Sequence, residues 1–107
     1  NKGFPNAGLG GLVLPMSQES AEVIALQALA WLAGKEDLLP VFLGATGASE
    51  TDVRAGASDP TFLGAVLDFI LMDDAWIKEM CDANALSYEV PMIARAALPG
   101  GEAVHWT

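Results

Sequence analysis

Apolar positions recur at helical spacing along most of the chain, and they are densest in residues 59–72. Asp59 is a natural N-cap, because its carboxylate can accept from free backbone N–H groups, and Pro60 fits the first helical position, where its missing N–H costs nothing. At about 100° per residue, Thr61, Gly64 and Asp68 fall in one narrow stripe. Phe62, Leu63, Val66, Leu67, Phe69, Ile70 and Leu71 cover most of the remaining circumference. A helix this apolar must be enclosed by others, so residues 60–72 are predicted as the centre of the fold. The run is shorter than the roughly 20 apolar residues that span a bilayer and it carries Asp68, which makes it a core helix of a soluble domain.

Residues 1–15 are glycine-rich, lack helical periodicity and stop at Pro15, which predicts a flexible leader or upstream extension with Met16 as an alternative initiator. Their glycines interrupt every apolar run, unlike a signal peptide. Ser17 then caps a helix running to about Ala33, with Glu19 and Glu22 near its positive end and Gly34 as the stop. Ala21, Ile24, Ala25, Ala28, Trp31 and Leu32 form the face turned to the central helix. Val23, Leu26 and Ala30 make a second apolar stripe on the opposite side, the mark of another helix packed behind or of a homodimer seam.

A shorter helix starts near Glu36 or Asp37, with Pro40 in its first turn, Val41, Phe42 and Leu43 as core contacts and Gly47 as a left-handed stop. Ser49 caps a brief helix to about Gly56, with Asp52 at the third position and Val53 as anchor. Beyond the central helix, Asp73 and Asp74 open a helix whose Trp76, Ile77, Met80 and Ala83 share one face, while Lys78, Glu79 and Asp82 face water and Asn84 takes the left-handed stop. Ser87 caps a last helix through Leu98, with Pro91 in its first turn and Val90, Ile93, Ala94, Ala97 and Leu98 pointing inward. No strand pattern competes. The prediction is an all-α, compact orthogonal bundle of five or six short helices: one domain over residues 16–100, with 101–107 as a C-terminal tail.

Composition adds a surface argument. Of 107 residues, 52% are hydrophobic and only 18% charged, which leaves little polar side chain to cover a small monomer and points to a covered apolar surface. The formal charge of −9 repels nucleic-acid phosphate and anionic lipid and favours a basic protein partner. A single cysteine with no CxxC or Cys/His cluster fits a reducing, cytoplasmic setting, and neither a structural metal nor a cofactor is expected.

Candidate chemistry is sparse. Asp68, Asp73 and Asp74 could gather around a hard cation, but helix capping already explains an aspartate at that point, and no calcium-loop pattern surrounds them. Cys81 lacks a partner base, since the only histidine is His105 in the tail, and reads as an inert packed thiol. Glu79 and Asp82, three apart, could serve as an acid/base pair but read as solvated surface. Residues 42–54 have helix-turn-helix spacing that residues 80–90 echo; Glu50 and Asp52 would confront phosphate there, which opposes DNA reading. Trp31 and Trp76 read as core anchors, or else, with Met72 or Met80, as the lining of a ligand pocket. Trp106 is a candidate peptide anchor for a partner. No catalytic, cofactor or metal residue is assigned, and the possible interface is Val23, Leu26, Ala30 and Trp106.

The segments 28–33, 59–69 with 73–75, and 96–100 resemble DUF3572, a family of short bacterial proteins catalogued as a domain of unknown function. The resemblance covers roughly Ser17 to Gly100 and is strongest at the Asp-Pro-capped central helix. It implies a small all-helical bacterial cytoplasmic protein and transfers no catalytic residue. The function expected from the residues is a small non-enzymatic protein–protein interaction module or homodimeric adaptor. A small-ligand-binding protein or weakly marked enzyme is the alternative, and a helix-turn-helix-like DNA-binding regulator, opposed by charge, is the third reading.

Overall fold

The computed structural model describes residues 16–99. Six helices follow in order: α1 (Gln18–Ala33), α2 (Leu39–Thr46), α3 (Glu50–Gly56), α4 (Pro60–Ile70), α5 (Asp74–Asn84) and α6 (Val90–Ala96). Among the described residues there is no strand, and the architecture is the expected all-α bundle.

Local chemistry accounts for most of the helix starts. Ser17 Oγ accepts from Ser20 N at 3.1 Å, and Asp59 and Asp73 accept from Thr61 N and Ala75 N at 3.0 and 2.8 Å. Ser49 and Asp52 form a reciprocal capping box, Asp52 N to Ser49 Oγ at 3.2 Å and Ser49 N to Asp52 Oδ2 at 2.9 Å. Gly47, at φ 76°, is the left-handed stop of α2.

Other boundaries and faces correct the sequence reading. Residues 36–38 form a turn, so α2 begins at Leu39 rather than near Glu36, because the N–H groups of Leu38 and Leu39 both donate back to Lys35 O. Within α2 only Phe42 is fully buried; Val41 is half exposed, since consecutive helical residues point about 100° apart and cannot share one face. Helix α4 stops at Ile70, and Met72 lies in the turn to Asp73, exposed rather than part of the central helix. In α5 the buried pair is Met80 and Cys81, while Ala83 faces solvent. The left-handed residue is Ala85, at φ 56°, and not Asn84. Asn84 stays helical and its Nδ2 donates to Met80 O at 2.9 Å, which passes the reversal to its neighbour. Ser87 does not cap α6: the helix starts at Val90 behind Glu89, with no side-chain cap and Pro91 near its start, and it ends at Ala96 rather than Leu98.

Packing is organised around two helices. Helix α4 buries Leu63, Gly64, Val66, Leu67, Phe69 and Ile70 and touches α1, α6, α3 and α5. Helix α1 shares the central place, because its fully buried Ala21, Ala25 and Ala28 let α4 and α6 approach closely. Aromatic rings close the far side: Phe42 meets Phe62 and Phe69 edge-on at 5.8 and 5.3 Å, and Phe69 stacks on Trp76 at 4.8 Å. Arg95 ties α6 to α4, its Nε and Nη2 donating to Asp68 at 2.6 and 3.1 Å and its Nη1 to Pro99 O at 3.1 Å. Gly64 lies under that guanidinium, where a Cβ would meet Nη1 at 3.0 Å.

Candidate functional site

The apolar surface that the sequence assigns to an interface sits on the outside of α1. The helix turns Ala21, Ala25, Ala28, Leu29 and Leu32 into the core, which leaves the opposite side to solvent. Val23 is 55% exposed and Leu26 39%, and Ala30 and Ala33 are exposed on the same side. Between Glu22 and Lys35 no residue carries a charge. At one end of this span Glu22 accepts from Gln18 Nε2 at 3.0 Å; at the other Lys35 pairs with Glu79 at 3.0 Å and lies 5.6 Å from the Trp31 ring centroid. The Glu79 hydrogen bond raises the Lys35 pKa, holding the ammonium charged. Gln27 borders the stripe, half-buried, and its Oε1 is enclosed without a hydrogen-bond donor. Trp106, the fourth predicted interface residue, lies outside the described residues.

The residues expected to line a ligand pocket do not converge in that way. Met80 is fully buried and Met72 is 73% exposed. Trp76 stacks on Phe69, and Trp31 is half-buried beneath Lys35. A cavity of about 330 Å³ instead opens where the end of α2, α3 and the start of α4 meet, with Thr46, Asp52, Gly56, Asp59 and Phe62 among its walls. Its polar groups have work within the chain: Thr46 Oγ1 donates to Phe42 O at 2.8 Å, and both aspartates are bound to backbone N–H groups.

The reactive side chains are dispersed. Asp73 caps α5 and Asp68 holds Arg95, so two of the three aspartates have separate tasks. Among the described residues no group of three or more His, Cys, Asp or Glu side chains is placed to hold a metal ion. Glu79 and Asp82 have different partners, Lys35 for one and the Tyr88 hydroxyl, at 2.8 Å, for the other. That hydrogen bond to Asp82 raises the Tyr88 pKa. Cys81 is fully buried, its Sγ 3.5 Å from Ser87 O; burial pushes the thiol pKa up, with Asp82 and Glu89 adding to the effect. The two helix-turn-helix-like segments differ in kind, because Ser49 caps α3 and Ser87 caps nothing.

Sequence reasoning missed Ala33 and Gln27 on the outer face of α1 and the whole Arg95–Asp68 contact. The first omission was avoidable, since Ala33 continues the spacing of Val23, Leu26 and Ala30. The ion pair joins residues 27 apart in the chain, and no local pattern announces it.

A family model described as "Protein of unknown function (DUF3572)" matches residues 18–101. Neither a curated protein nor a solved structure matches the chain. Among the described residues no helix is long and apolar enough to cross a membrane.

Proposed function

The chain belongs to the DUF3572 family of proteins of unknown function, and from that premise we propose that it is a non-enzymatic interaction module, a homodimeric adaptor that associates through the outer face of α1. The observation that carries this reading is the charge-free stripe of Val23, Leu26 and Ala30, exposed on a helix whose other side is core. In a chain with formal charge −9, a helix surface without charge over several turns is where an apolar partner can be covered at least desolvation cost. The reading places the protein in the bacterial cytoplasm, supported by a free, buried Cys81 that suits reducing conditions.

The test is solution mass across concentration, by light scattering after size exclusion, for the wild-type chain and Leu26→Asp. The wild type is expected at twice 11.2 kDa, and the variant as a monomer with unchanged helicity. A wild type that stays monomeric at every concentration sinks the reading. An unfolded variant would assign Leu26 to the core and move the seam elsewhere.

A second reading, a small-ligand-binding protein, is supported by the cavity of about 330 Å³ beside Phe62, which lies at the small end of ligand pockets. Amide shifts confined to Gly47, Ala48 and Ala55 in a fragment screen would support it. Their absence across the screen would remove it.

A further inference from the structure

We propose that residues 36–58, which carry α2 and α3, form a hinged flap that opens from the rest of the fold as one unit and uncovers Phe62 and Phe69. The other four helices hold one another without it: α1 meets α4, α5 and α6, and α4 meets α5 and α6. By contrast α3 packs on α4, and α2 has only slight contact with any one helix among the described residues. Within the two helices Phe42 and Gly56 are the buried residues, and Leu38 is buried in the turn before them, while Val41 is half exposed. A segment that buries so little is released at a fraction of the free energy of global unfolding.

Both helices close on the same ring. Phe42 of α2 meets Phe62 edge-on at 5.8 Å, and Gly56 of α3 lies so close to it that an added Cβ would stand 2.2 Å from Phe62 Cδ2. Phe42 also meets Phe69 at 5.3 Å, and Phe69 stacks on Trp76 of α5. Lifting either helix removes packing that the other shares, which couples the two. The seam beneath them is incompletely filled, because the cavity of about 330 Å³ lies between Thr46 and Gly47 at the end of α2, Ala55 and Gly56 of α3, and Phe62. Side chains at that gap lack dispersion partners on one side, so less holds the flap down than its length suggests.

The ends of the flap are pinned by groups that do not belong to it. Before it, Gly34 closes α1, its N–H donating to Ala30 O and Trp31 O, and Lys35 reaches Glu79 of α5 at 3.0 Å. After it, Asp59 caps α4 through Thr61 N at 3.0 Å and Pro60 has no N–H to satisfy, so the first turn of α4 survives the loss of α3. The motion therefore falls on the two short turns, where Leu38 N and Leu39 N donate to Lys35 O on one side and Ser58 N to Ala55 O on the other. Rings that are covered at rest face solvent when the flap lifts, which switches an aromatic surface on and off within one folded chain.

Hydrogen exchange of the full chain, followed amide by amide at one protein concentration and in rising sub-denaturing urea, tests the flap. Amides of α2 and α3 should exchange about a hundredfold faster than the slowest amides of α1 and α4, and should share one shallow urea dependence, because the opening exposes less surface than global unfolding. Ala94→Gly, in α6, should speed the slowest α1 and α4 amides about tenfold and leave α2 and α3 unchanged, since Ala94 is buried among helices that the opening leaves in place. Phe42→Leu in α2 should speed α3 as much as α2, and Val53→Ala in α3 should speed α2 as much as α3. Separate rates or urea slopes for the two helices, a response of each helix only to its own variant, or protection of both equal to that of α1 and α4 overturns the proposal. The flap lies off the α1 stripe, so its fate is separate from that of the homodimer reading.

Discussion

Replacing Gly64 by alanine sets two effects of similar size against each other. Glycine in a helix interior is about 1 kcal/mol worse than alanine, so the substitution starts with a gain of that order. The new Cβ would lie 3.0 Å from Arg95 Nη1 and 3.2 Å from Cζ, which forces the guanidinium back by a few tenths of an ångström. That guanidinium holds Asp68 through two hydrogen bonds and reaches Pro99 O at 3.1 Å. With the Asp68 side chain 57% exposed, the pair is worth at most about 1 kcal/mol. Gly64→Ala is therefore expected to leave stability within about 0.5 kcal/mol of wild type, the helix gain offsetting the displaced clamp. In an Arg95→Ala background nothing opposes the methyl, and the same substitution should stabilise by about 1 kcal/mol. Urea denaturation of the four proteins at one fixed protein concentration closes the cycle, with an expected coupling of about 1 kcal/mol. Equal gains in both backgrounds would show that Arg95 yields without cost and would refute its role as a clamp between α4 and α6.

Gly56→Ala should destabilise by about 1–3 kcal/mol despite better helix propensity, because its Cβ would fall 2.2 Å from Phe62 Cδ2 and 2.4 Å from Cγ, and the root of the ring cannot swing aside; a melting temperature at or above wild type would contradict this packing. Ser49→Ala should cost about 1 kcal/mol and Ser87→Ala almost nothing, since only Ser49 closes a capping box; equal losses in urea midpoint would refute the distinction. For Cys81, burial raises the folded-state pKa above its unfolded value. Its contribution to stability is fully present below the unfolded pKa and is lost as pH rises through the folded one. Cys81→Ala should flatten that alkaline decline. In the wild type, alkylation near neutral pH should proceed only at the rate of opening; rapid labelling of the native protein would disprove the burial.

The residues nearest in sequence were the most legible. Ser17, Ser49, Asp59 and Asp73 mark helix starts because a cap is a contact across two or three residues, and Gly47 marks a stop because the left-handed turn strains other side chains. The same logic misplaced the last helix, where Ser87 has the right side chain but the chain turns instead through Val90 N to Ser87 O. Asn84 was the better left-handed residue by propensity, yet its side chain is committed to Met80 O and Ala85 takes φ 56°. The inner and outer faces of α1 could be read from periodicity, and Val23, Leu26 and Ala30 are indeed exposed.

What the amino-acid sequence determined by itself is the all-α class, the order of the helices, most of their caps and the two-sided character of α1, all consequences of contacts within about one helical turn. Only the tertiary structure decided which helices meet. It placed Arg95 over Gly64 and against Asp68, gave Glu79 and Asp82 different partners, and opened the cavity beside Phe62 away from Trp31 and Trp76. Those outcomes depend on how side chains from distant segments fill a shared volume, and no spacing along one chain encodes that volume.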